Sequence, residues 1–193
     1  HPERKDDRFF DKQALDAVAQ GIAGRPGIAS ESREEGLRHA PYLFHLTGLQ
    51  KYMSTRYKWT AKRTLEAAQR CYEQHKVLTY PRTDSRHLPE DYLGTVKKTL
   101  ESLKEVSAFS GAAEKILAQG WVRPNKRIFN NAKISDHFAI IPTGIEPKHL
   151  TEAEAKVYDL VTKRFLSVFF PAAEFLITTR ITRIENEPFK SEG

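Results

Sequence analysis

Leu78-Thr79-Tyr80-Pro81-Arg82-Thr83-Asp84-Ser85-Arg86 is the stretch on which the reading of this chain turns. Pro81 biases Tyr80 away from helix into an extended conformation, because the proline ring crowds the backbone of the residue before it. In an extended segment residues i and i+2 project to the same side, so Tyr80 and Arg82 can address one target together. A phenol, with a pKa of about 10, is a weak nucleophile at neutral pH and needs a neighbouring base or cation. In-line displacement at phosphorus spreads charge over the non-bridging oxygens, and a planar guanidinium matches that charge. Tyr-x-Arg is therefore a sensible unit for phosphotyrosyl chemistry. In isolation it is also a common accident.

Outward from this stretch the sequence reads as helices. Thr60 is placed to cap a helix reaching about His75, with Leu65, Ala68, Cys71 and Tyr72 on one face. Cys71 on that stripe reads as a small buried hydrophobe. A short amphipathic helix from Thr47 to about Tyr57 precedes it, carrying Leu49, Tyr52 and Met53. Downstream, Pro89 followed by Glu90 and Asp91 opens a helix to about Lys104, since proline suits a first helical position and acids suit the helix dipole. Ala112–Gln119 is a shorter helix, and Thr151 opens a long one that ends before Pro171. Near the start, Phe9–Ile22 has helical spacing and is stopped by Gly24-Arg25-Pro26-Gly27. Ile28–His39 is polar and partly alternating, one or two exposed strands, and the tail from Glu174 alternates with β-branched residues as a strand. The expected class is α+β, mainly α: a helical middle flanked by strand-like pieces lacking enough partners to close a sheet. Because the chain begins without methionine and stops near such a run, it reads as a piece excised from something larger.

Composition narrows the function. The 193 residues suffice for one domain, or one plus pieces of another, and 39% of them are hydrophobic, which argues against global disorder. No apolar run approaches the roughly 18 residues that span a bilayer, so no membrane partner is expected. One cysteine, Cys71, excludes an internal disulfide and a cysteine-rich zinc site, and points to a reducing compartment. No signal-peptide pattern follows His1. The net charge is +6, unevenly distributed. Between Lys51 and Arg70 stand six bases against Glu66 alone, and Arg123, Lys126, Arg127 and Lys133 form a second block without an acid. Both blocks are interleaved with aromatics, including Tyr52, Trp59 and Trp121, which favours a polyanionic partner. Charge alone does not choose among DNA, RNA and an acidic protein.

The string Thr79-Tyr80-Pro81-Arg82-Thr83-Asp84-Ser85 resembles the active-site signature of the type IA DNA topoisomerases, closest to their topoisomerase III branch. Trp59-Thr60-Ala61-Lys62-Arg63-Thr64-Leu65-Glu66-Ala67-Ala68-Gln69 is similar to the helix preceding the tyrosine in that family. Ile134-Ser135-Asp136-His137-Phe138-Ala139-Ile140-Ile141-Pro142-Thr143 resembles its downstream histidine motif, and Phe170-Pro171-Ala172-Ala173-Glu174-Phe175 the return into its arch domain. The resemblance implies segments of a β-rich arch domain at 1–40 and 168–193 and a helical tyrosine-bearing domain at 41–167.

It also implies roles. Tyr80 would attack a DNA phosphodiester to form a transient 5′-phosphotyrosyl link, Arg82 would hold the scissile phosphate, and His137 would hydrogen-bond that phosphate or its neighbour. Lys62, Arg63 and Gln69 would line the path of single-stranded DNA. Thr83, Asp84 and Ser85 are grouped with the DNA-facing residues, while for Asp84 and Ser85 orienting His137 or Arg82, or simply forming a turn, remains open. Phe138 and Cys71 depart from the residues usual in the family. The family's acidic cluster for Mg2+ and its leaving-group lysine belong to a Toprim domain. No Asp-x-Asp occurs here, so these residues are expected to bind no metal themselves and to be inactive in isolation. No nucleotide cofactor is expected, since the ester conserves the phosphodiester energy and no phosphate-cradling glycine loop is present. The implied setting is the bacterial cytoplasm, at the nucleoid. Two other readings stand beside this one: a module that only grips single-stranded nucleic acid, and a tyrosine recombinase, which fits less well because Tyr80 precedes His137.

Overall fold

Thr60 starts its helix as the sequence predicts: its hydroxyl accepts a hydrogen bond from the Arg63 amide at 3.1 Å, and α3 follows over Ala61–Glu73. The preceding helix, α2 (Leu46–Tyr57), ends at Lys58 in the left-handed region (φ 59°), which turns the chain sharply into α3. The computed structural model describes residues 11–193. Backbone contacts divide the chain into two units, His39–Ala172 and the ends up to Arg38 with Ala173–Gly193. Phe9 and Phe10 of the helix expected over 9–22 lie outside the described residues.

In the larger unit, α4 (Leu93–Leu103), α5 (Ser110–Ala118) and α6 (Glu152–Ser167) join α2 and α3 around one core. Leu49, Met53, Ala68, Leu100, Ile116, Val161 and Phe165 are fully buried in it. The buried stripe of α3 is Thr64, Ala67, Ala68 and Cys71, not the Leu65, Ala68, Cys71 and Tyr72 that hydrophobicity suggests. Side-chain size explains the shift: the small residues let the neighbouring helices approach, and Leu65 and Tyr72 are displaced to the half-buried flanks. Pro89 precedes a 3-10 turn, Glu90–Tyr92, and α-helical geometry begins only at Leu93. That turn is set by Asn131, whose side chain accepts from the Glu90 amide at 3.0 Å.

A buried acid joins α3 to α6. Thr151 and Glu154 form a reciprocal capping box, and the Glu154 side chain is sealed at 3% exposure with His75 at 3.2 Å and Arg70 at 3.7 Å. Burial raises the pKa of Glu154, but hydrogen bonds from Thr151 and the nearby His75 outweigh it, so the carboxyl sits below its ordinary range. Cys71 lies alongside, its thiol pushed up to about 12 by burial and then by Glu154. The thiol is buried and inert, as its place on the stripe predicts.

The smaller unit contains α1 (Lys12–Ile22), capped by Asp11, and three antiparallel strands. β1 (Ile28–Arg38) pairs with β2 (Ala173–Ile184), with Ile28 opposite Arg183 and Arg38 opposite Ala173, and β2 turns into β3 (Glu187–Glu192). The two ends of the chain thus supply each other's partners, and the third strand completes a sheet that the sequence pattern leaves open. An ion pair between Arg25 and Glu185 at 2.7 Å links the turn after α1 to the β2–β3 turn. Among the described residues no helix is long and apolar enough to cross a membrane.

Candidate active site

Short backbone bridges pin the segment from Leu78 to Leu88. Leu78 pairs with Pro142 and Leu88 with Phe129, while the Leu46 amide donates to the Thr83 carbonyl at 3.0 Å. Thr79 locks the near end: its hydroxyl donates to the Ala139 carbonyl at 3.1 Å and accepts from the Ile141 amide at 2.9 Å. Between these anchors the chain bends at Pro81, where the Thr83 amide donates to the Pro81 carbonyl at 3.0 Å and closes a γ-turn around Arg82, and burial alternates from there on. Pro81, Thr83 and Ser85 are buried, and Arg82, Asp84 and Arg86 are exposed. Tyr80, ahead of the bend, is half-buried.

Tyr80, Arg82, His137 and Gln69 come together. The Tyr80 ring lies between Tyr72, edge-on at 5.3 Å between centroids, and His137, tilted at 4.5 Å. Arg82 is exposed, with Nη2 3.4 Å from the Gln69 side-chain oxygen. Gln69 and Tyr72 are three residues apart on α3, so one helix face serves both Arg82 and Tyr80. Tyr72 is a residue the sequence reading assigned to the core. Its spacing from Gln69 was the available signal.

The remaining predicted residues separate into groups. Asp84 is exposed and accepts a hydrogen bond from Ser135 at 3.2 Å, which ties the histidine loop to the tyrosine segment. Thr83 and Ser85 face inward. The Thr83 hydroxyl donates to the His137 carbonyl at 2.9 Å, and that of Ser85 donates to the Lys133 carbonyl at 2.8 Å. Their hydroxyls hold the His137 loop from beneath. Phe138 packs on Tyr92 at 4.8 Å between centroids, an apolar anchor for the same loop. Lys62 shares a helix face with Gln69, at i and i+7, near Glu66 at 4.0 Å. Arg63 leaves that face and stacks over the Trp59 ring at 4.3 Å.

Among the described residues no three His, Cys, Asp or Glu side chains converge as metal ligands. Asp84, the exposed carboxylate of the tyrosine segment, is engaged by Ser135. A divalent ion such as Mg2+ favours several carboxylate or substrate oxygens around it, and this donor set does not fit one. No step below passes through a metal held by these residues.

Two histidines beneath the segment carry a pH signature. Burial, then the Arg86 guanidinium, holds His45 below the usual histidine pKa, with Asp84 opposing. Burial, then Lys133, Arg86 and Arg127, does the same for His87. The fold thus favours both neutral rings. Their contribution to stability is complete above the ordinary pKa of about 6.5 and is lost as pH falls through the lower folded values. The urea midpoint should therefore drop between pH 7.5 and 5.5, and the drop should shrink in a His45→Gln/His87→Gln variant. An identical drop in that variant would place the titration elsewhere.

The sequence profile described as DNA topoisomerase matches residues 1–193. The DNA topoisomerase 3 of Bacillus cereus is 40% identical over 189 residues, covering 96% of this chain and 26% of that protein. Its counterpart in Bacillus subtilis is 39% identical over 193 residues, covering 98% of this chain and 26% of that protein. The solved structure of full-length topoisomerase I from Thermotoga maritima matches with a TM-score of 0.63 over 99% of this chain and 30% of that one, at 19% identity, a likeness of fold. The chain spans about a quarter of the length of the curated relatives it matches.

Proposed function

The chain belongs to the type IA DNA topoisomerase family, and on that premise we propose that it carries the nucleophile half of a single-strand DNA cleavage site. Tyr80 attacks a backbone phosphorus in line. The phenolic oxygen–phosphorus bond forms as the bond to the 3′ oxygen breaks. The phenol gives up its proton, the departing 3′ oxygen takes one up, and the 5′ phosphate stays on the protein. Arg82, which meets the same stretch of α3 as Tyr80, neutralises the charge that builds on the non-bridging oxygens. His137, against the Tyr80 ring, hydrogen-bonds the same phosphate or its neighbour. Thr83 and Ser85 hold the loop that presents His137, and Asp84 ties that loop down through Ser135.

The reaction conserves one phosphate ester for another, so resealing needs no nucleotide. A second strand passes while the break is open. We assign the three-stranded sheet with α1 to the family's arch domain and His39–Ala172 to its tyrosine-bearing domain. The leaving-group acid and the metal ligands lie outside this chain, so the 193 residues alone do not relax supercoiled DNA. The setting is the bacterial cytoplasm.

One observation carries this reading: Tyr80 and Arg82 meet neighbouring residues of α3, Tyr72 at 5.3 Å between ring centroids and Gln69 at 3.4 Å, with the His137 ring 4.5 Å from that of Tyr80. The polarity of the covalent link tests it. A complete topoisomerase containing this segment is mixed with a single-stranded oligonucleotide, quenched with detergent and run on a denaturing gel. Label on the 3′ side of the break should migrate with the protein, and label on the 5′ side should run free. The opposite partition would contradict the proposal, and no adduct at all would favour a module that only grips DNA.

A further inference from the structure

Beyond the Tyr80 cluster, a groove of about 400 Å³ opens beside the first turns of α2, walled by Tyr42, Phe44, Lys51, Tyr52, Arg86 and Arg164 among others. Three of these are permanent cations, and no Asp or Glu lines the groove. Arg164 reaches into it from α6, half-buried. Its guanidinium lies 4.1 Å from the Phe44 ring centroid and 6.0 Å from that of Tyr52, and Nη1 donates to the Tyr42 carbonyl at 2.9 Å. The two rings and the carbonyl hold this cation in place without a carboxylate to neutralise it, so it adds to the positive potential that Lys51 and Arg86 give the groove. Arg86 stands at the mouth, steadied by His45 with Nε 3.2 Å from Nδ1. Tyr42 and Tyr52 remain 41% and 38% exposed; the Arg127 guanidinium lies 4.0 Å from the Tyr42 ring centroid, which leaves Tyr52 the freer of the two rings.

We propose that this groove is a nucleotide subsite for single-stranded DNA, taking one phosphate on Arg86 and Lys51 and stacking one base on Tyr52 or Tyr42. The inference rests on the DNA-cleaving reading only for the identity of the strand. Arg86 is exposed on the same segment as Tyr80 and Arg82, six residues from Tyr80. At about 3.3 Å per residue that is within roughly 20 Å, so a strand laid along the segment leads from the scissile phosphate into the groove. Cations alone would suit an acidic peptide, but a peptide would leave the tyrosine faces unused. A single-stranded nucleic acid supplies regularly spaced phosphates together with unpaired base faces. A duplex keeps those faces stacked inside.

The test uses the 193-residue chain in a Tyr80→Phe background, so cleavage does not enter and failure here is separable from failure of Tyr80 as nucleophile. Binding of a fluorescein-labelled 15-mer is followed by anisotropy at several salt concentrations. A Lys51→Ala/Arg86→Ala variant should lose affinity and reduce the slope of log affinity against log salt by about 1.4, two contacts at about 0.7 each. Tyr52→Leu should keep the slope while weakening binding about five- to hundredfold. It should also erase the penalty that an abasic site at one position imposes on the parent. Lys97→Ala, on α4, should behave as the parent does. Circular dichroism checks that each variant folds, and the charge variant keeps the proposal testable if Tyr52→Leu does not. Parental affinity and slope in the charge variant overturn the proposal. So does displacement of the oligonucleotide by a polyglutamate peptide or a blunt duplex at equal concentration.

Discussion

Tyr80→Phe is expected to abolish the covalent DNA adduct while leaving affinity for DNA nearly unchanged. The substitution removes one oxygen and keeps the ring, so the contacts with Tyr72 and His137 at 5.3 and 4.5 Å survive. Pro81 still holds the backbone extended. Binding rests on cations and stacking, none of which uses the phenol. The ester is different: without Tyr80 Oη there is no atom to attack phosphorus from this place. The structure adds a competitor that must be excluded, because Tyr72 is a second phenol packed directly against the first. It sits on α3, with Lys76 Nζ 5.5 Å from its ring centroid. If Tyr72 only supports the Tyr80 ring, Tyr72→Phe keeps that support and keeps the adduct. Trapping on a denaturing gel, in a complete topoisomerase carrying each variant, separates the cases. Adduct that persists in Tyr80→Phe and vanishes in Tyr72→Phe would move the nucleophile to α3.

What could be read in advance follows the range of the physics involved. Pro81 acts on its neighbour, so the absence of helix at Tyr80 was legible from local sterics, whereas the bend at Pro81 and the turn that the Thr83 amide closes around Arg82 were not. Burial alternates beyond Pro81, so Thr83 and Ser85 turn inward, and their hydroxyls bond to backbone carbonyls of the histidine loop. The partners of those hydroxyls, the carbonyls of His137 and Lys133, are 54 and 48 residues away, and no pattern within the segment names them. The α3 stripe was misplaced by one position because hydrophobicity favours Leu65 and Tyr72, whereas helix approach favours the smaller Thr64 and Ala67. The β1–β2 pairing was hidden for a related reason. Every residue of β1 except Gly36 is exposed, so no buried face fixes a register that the sequence could display.

Arg82→Ala should slow adduct formation by about a hundred- to a thousandfold without abolishing it. The nucleophile remains, but the phosphate loses a charged donor aimed at oxygens that gain charge as phosphorus is attacked. Removal of a comparable oxyanion donor costs about 2.7–4 kcal/mol, which sets the range. The fold should not share the loss. Arg82 is exposed, and its side chain makes one long contact, 3.4 Å to Gln69. An exposed substitution of that kind shifts stability by about 0.5 kcal/mol or less, so the urea midpoint should stay near that of the parent. Arg82→Lys restores a charge but not the planar two-donor fork, and its rate should fall between the two. The measurement is the rate of adduct appearance on a short oligonucleotide whose upstream piece, bearing the freed 3′ hydroxyl, dissociates on cleavage, so that resealing does not obscure the forward step. A parental rate in Arg82→Ala, with lysine no different from alanine, would remove Arg82 from the phosphate. The charge neutralising the attacked oxygens would then have to come from His137 or from a group outside this chain.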